Sequence, residues 1–61
     1  MKARVLINDK ATDGNFPKSL LLKLARMGAS IMAYPETGTY GEPVDMDTDD
    51  GYMFIKHYNG K

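Results

Sequence analysis

The chain has 61 residues, no cysteine, and eight Lys and Arg balanced by eight Asp and Glu, for a formal net charge of zero. That length allows one domain, residues 1–61, with a small core. The missing cysteines exclude disulfides and thiolate metal sites, and no apolar run nears the roughly 20 residues that span a bilayer.

Apolar residues make up 43% and charged residues 26% of the chain, a balance that describes a folded domain rather than a disordered segment. Near the N-terminus, Arg4, Asn8, Asp9 and Lys10 break the first apolar stretch, so no signal-peptide pattern forms. The expectation is a soluble, cytoplasmic protein. The neutral total conceals a segregation of charge. Residues 1–28 carry six basic and two acidic side chains, a net of +4; residues 29–61 carry two basic and six acidic ones, a net of −4. Such asymmetry bears on partner choice and self-association rather than on fold.

In chain order, residues 3–8 are apolar and β-branched and end in a polar cluster, which predicts a strand. Residues 10–15 contain Thr12, Asp13, Gly14 and Asn15 and read as a turn. A helix is predicted over 17–27. Pro17 suits its first position, Leu20, Leu21, Leu24 and Met27 recur at helical spacing as one apolar stripe, and Gly28 supplies a left-handed cap. Leu22 falls on the opposite face with Lys18, Ser19, Lys23 and Arg26. Residues 30–34 predict a second strand stopped by Pro35, and residues 35–43 a loop rich in Gly and Pro.

The remainder reads as a hairpin. Residues 44–48 alternate apolar and polar, Asp50-Gly51 is a turn dipeptide, and residues 52–58 are aromatic and β-branched. A two-residue loop would pair Thr48 with Met53, Met46 with Ile55 and Val44 with His57. A three-residue loop turns the second strand over. The predicted fold class is therefore α+β: a small two-layer β-α-β-β-β domain with one helix packed on one face of a mostly antiparallel sheet. The other sheet face is left with nothing in the chain to cover it.

In both hairpin registers Asp45 and Asp47 leave the core together and stand beside large apolar side chains. The candidate partner-binding set is Asp45, Asp47, Asp49, Asp50, Tyr52, Phe54 and Tyr58. Carboxylates interleaved with rings suit a basic surface on a larger protein, because they pair with Lys and Arg while the rings add cation–π contacts. A row of carboxylates repels phosphate and could imitate a nucleic-acid backbone to block a nucleic-acid-binding protein. The expected function is a non-enzymatic protein–protein interaction module, an inhibitor or regulator. One alternative is a nucleic-acid-binding module using Lys18, Lys23 and Arg26 on the basic helix face. Another is a homodimeric subunit that closes its open sheet face with its own copy, the two charge halves meeting head to tail.

Other chemistries lack their signatures. The segment from Asp45 to Asp49 resembles the start of a calcium loop, but Asp50 and Lys56 stand where that loop needs Gly and Glu. His57 is the single histidine, and no base, orienting acid and oxyanion hole are arranged around a hydroxyl. Gly14 and Lys18 lack P-loop spacing. No enzyme activity, metal, cofactor or membrane partner is expected.

Overall fold

The computed structural model describes residues 1–35 and 42–59. Within them the chain runs β1 (Lys2–Ile7), β2 (Lys10–Asn15), α1 (Lys18–Arg26), β3 (Ser30–Tyr34), β4 (Val44–Asp45) and α2 (Asp49–Lys56). The four strands form one antiparallel sheet in the order β2-β1-β3-β4. The fold is α+β, but the expected β-α-β-β-β order is corrected at two places. The predicted loop falls largely on residues 36–41, outside the described residues.

The first correction is β2. Residues 10–15 have low strand propensity, yet they pair with β1 along its length, from Ile7 opposite Lys10 to Lys2 opposite Asn15. The reversal sits one step earlier than the sequence suggests, at Asn8 and Asp9, whose φ values of 50° and 65° are both positive. Two consecutive left-handed residues make the tight turn whose twist matches a hairpin, and Asn and Asp tolerate that region best after Gly. The far end of the hairpin is tied as well. The N-terminal ammonium donates to Asn15 Oδ1 at 2.6 Å and to the Phe16 carbonyl at 2.9 Å, while Phe16 N–H donates to the Met1 carbonyl at 2.9 Å.

The second correction is α2, which replaces the second half of the expected hairpin. The pairs Thr48–Met53, Met46–Ile55 and Val44–His57 therefore do not form, and β4 keeps two residues, paired with Met32 and Ala33. Thr48 is the N-cap. Its Oγ1 accepts from Gly51 N–H at 2.9 Å and donates to the Asp45 carbonyl at 2.8 Å. Asp49 and Asp50 occupy the first turn and Lys56 the last, each sign where the helix dipole favours it. Gly51 and Ile55, one turn apart, are its buried residues.

Helix α1 agrees closely with the sequence. Pro17 is the N-cap rather than the first helical residue, one position from expectation. Gly28, at φ 100°, follows the C-cap. Gly28 N–H reaches the Ala25 carbonyl and Ala29 N–H the Leu24 carbonyl, the paired bonds of a Schellman ending. The buried stripe is narrower than predicted: Leu21 is fully buried, Leu24 is half-buried, and Leu20 and Met27 are exposed. One core joins Ala3 and Val5 of β1, Ile31 and Ala33 of β3, Leu21 of α1 and Ile55 of α2, with Ala29 and Met46 beside them. The two helices also meet through Lys18, whose Nζ donates to the Tyr58 carbonyl at 2.8 Å and the Lys56 carbonyl at 3.3 Å.

Candidate interaction surface

The predicted acidic and aromatic residues divide among three places. Asp45 lies on β4 opposite Met32. Its carboxylate accepts from Asp47 N–H at 2.9 Å, so it shapes the turn into α2. Asp47, Asp49 and Asp50 are exposed, in that turn and in the first turn of α2. Tyr52 is half-buried and packs against the core. It faces α1 rather than joining an outward row of rings. Phe54 is 48% exposed and stacks on Tyr58, with ring centroids 6.0 Å apart and planes 24° from parallel.

The helical period regroups this set. Asp50, Phe54 and Tyr58 follow at four-residue steps, and Asp49, Met53 and His57 form the neighbouring row. Opposite the buried Gly51 and Ile55, the outer side of α2 thus presents two carboxylates, then Met53 and Phe54, each nearly half exposed. The sequence left Met53 undecided, because a two-residue hairpin loop pairs it toward the core and a three-residue loop turns it outward.

Lys18, Lys23 and Arg26 are not one surface. Lys18 is half-buried and spends its ammonium on the end of α2. Lys23 and Arg26 instead line a groove of about 580 Å3 between the helices, together with Ser19, Leu22, Met27, Tyr52 and Lys56. Lys56 comes from far along the sequence, and no carboxylate lines this groove among the described residues. Leu22 is half-buried there and not freely exposed.

The sheet side away from Val5 and Ile31 is not the acidic face that the sequence suggested. Cross-strand register aligns Asn15, Lys2 and Tyr34 in one row and Asp13, Arg4, Met32 and Asp45 in the next. The result is a surface of mixed charge with a shallow hollow lined by Lys2, Arg4, Asp13, Asn15 and Tyr34. Its centre is an exposed bidentate pair, Arg4 Nε to Asp13 Oδ1 at 2.7 Å and Arg4 Nη2 to Oδ2 at 2.9 Å.

The hydrogen bond from Arg4 holds the Asp13 carboxyl below its ordinary value and pushes the guanidinium up. A carboxyl lowered in the folded state stabilises the fold above its unfolded value and loses that contribution as pH falls through its folded one. Asp13→Asn should therefore lower the melting midpoint slightly at neutral pH. The gap to the parent should close on acidification below the ordinary Asp range; a gap that stays constant there contradicts the role of this pair. The exposure of both side chains keeps the effect small.

Among the described residues no group of three or more His, Asp or Glu side chains could hold a metal ion, and no helix is long and apolar enough to cross a membrane. His57 is exposed just past α2. No family model, curated protein or solved structure matches the chain.

Proposed function

We propose that this chain is a non-enzymatic, two-layer protein–protein interaction module whose contact helix is α2, with the helices on one side of the sheet. The contact set is Asp47, Asp49, Asp50, Met53 and Phe54, with Tyr58 supporting the Phe54 ring. The observation that carries this reading is the exposure of Met53 (45%) and Phe54 (48%) on a helix whose first turn is acidic. Two large apolar side chains left half in water on a chain this small are unused burial. Their acidic neighbours favour a partner with Lys and Arg around an apolar centre. Asp45 and Tyr52 drop out, the first to the turn and the second to the core. The test compares the parent with Met53→Ser/Phe54→Ser and with Asp49→Asn/Asp50→Asn, using each as bait against extract from the cell that makes the protein. Loss of the same captured protein in both variants, with helical circular dichroism unchanged, is the expected result. Capture that survives both removes α2 as the contact helix.

The groove between the helices favours a second reading, nucleic-acid binding through Lys23, Arg26 and Lys56. Phosphate contacts of that kind weaken steeply with salt, so a labelled single-stranded oligonucleotide should bind at low salt and lose affinity when Lys56 becomes Glu. An absence of binding at low salt ends this reading.

A further inference from the structure

Resting on the reading of α2 as the contact helix, we propose that its partner is a second copy of this chain, docked about a two-fold axis with the two α2 helices antiparallel. The helix carries opposite charge at its ends: Asp49 and Asp50 in the first turn, Lys56 in the last. Met53 lies between them on the outer side, with Asp49 four residues before it and Lys56 three after. A two-fold axis through Met53 lays one helix backwards along the other. Met53 then meets its own copy, and the acidic turn of each chain meets Lys56 of the other, twice over by symmetry.

The groove beside α2 extends the match. Lys23 and Arg26 line it with Lys56, with no carboxylate among the described residues, so the groove is opposite in charge to the acidic turn. In the isolated chain these charges are unspent: the one ion pair among the described residues is Arg4–Asp13. The groove also carries Met27, 73% exposed. Self-docking accounts at once for the exposed Met27 and Met53 and for the opposite charges of the groove and the acidic turn.

Sedimentation equilibrium of the full chain at micromolar concentration tests this with two single variants, Asp49→Lys and Lys56→Asp. The parent should show twice the monomer mass, with a dissociation constant that rises with salt. Each variant alone should bring like charges together and raise that constant about tenfold or more. Mixed in equal amounts, the two should dimerise again, because both cross-pairs are restored only in the mixed dimer. Circular dichroism of each variant reports whether the fold is kept, and the rescue on mixing cannot come from a folding defect. Met53→Asp, at an exposed position, should be a folded monomer. A monomeric parent, or a dimer indifferent to both charge reversals, overturns self-docking. A monomer that still captures another protein through Met53 and Phe54 overturns it too, while leaving α2 as the contact helix. A monomer whose groove binds an oligonucleotide gives the cations to nucleic acid instead.

Discussion

Gly51→Ala should leave the domain without a cooperative melting transition, although alanine is the better helix former. A Cβ at Gly51 would lie 1.8 Å from the Asp45 carbonyl oxygen, 2.7 Å from its carbon and 2.8 Å from Thr48 Oγ1. These are backbone and cap atoms, and no flexible side-chain tip can give way. The Asp45 carbonyl already accepts from Thr48 Oγ1 at 2.8 Å, and β4 is paired to β3 through the same residue. Relief requires α2 to swing off the sheet, which breaks the Thr48 cap and exposes Ile55 and Met46. A cap is worth about 1 kcal/mol, and the two apolar side chains about 1.5–3 kcal/mol each. A domain of this size holds about 3–9 kcal/mol in all. Helix propensity alone would give back at most about 1 kcal/mol. Thermal unfolding followed by far-ultraviolet circular dichroism decides between the two. A midpoint unchanged or raised would mean that the close approach of α2 to β4 is absent.

Leu21→Ala should be the most damaging truncation on α1. Leu21 is 0% exposed and shares the core with Val5, Ile31 and Ile55. Losing its side chain costs about 2–5 kcal/mol through lost transfer and the remaining cavity. That is a large share of the total stability, so the variant should be largely unfolded at 37 °C, a temperature at which small domains have little reserve. Leu20→Ala, one residue away and 38% exposed, serves as the control and should shift the denaturant midpoint far less. Equal shifts at the two positions would place the buried side of α1 wrongly.

The same comparison separates what the residues reveal from what they conceal. The strands at 2–7 and 30–34 and the helix ending at Gly28 were legible, because periodicity and capping act over a few neighbours. The strand at 10–15 was not. Lys-Ala-Thr-Asp-Gly-Asn is strand only because the Asn8–Asp9 turn folds it back and the Met1 and Arg4 contacts hold it. The segment at 49–56 misled in the other direction. Asp50-Gly51 is a hairpin signal by composition, but Gly51 is there because a helix passes too near the Asp45 carbonyl for any side chain. The overlooked counter-signal was Thr48 followed by two acidic residues, an N-cap with a complementary first turn.

That change of element also decided how the site read. An alternating strand would have kept Asp45, Asp47 and Asp49 in one row; a turn and a helix send Asp45 to the sheet and Tyr52 inward, and bring Met53 out. The convergence of Lys56 on Lys23 and Arg26 depends on how the two helices pack, and no local pattern encodes it. Lys18 belonged to that cluster in sequence and left it in space, because the end of α2 needed its ammonium.

The most direct measurement places a photo-crosslinking amino acid at position 53, and in a separate variant at position 12 on the uncovered strand β2, in cells expressing the protein. Illumination should yield a discrete adduct from position 53 and none of comparable yield from position 12. An adduct from position 12 with nothing from position 53 would mean that this protein meets its partner elsewhere than on α2.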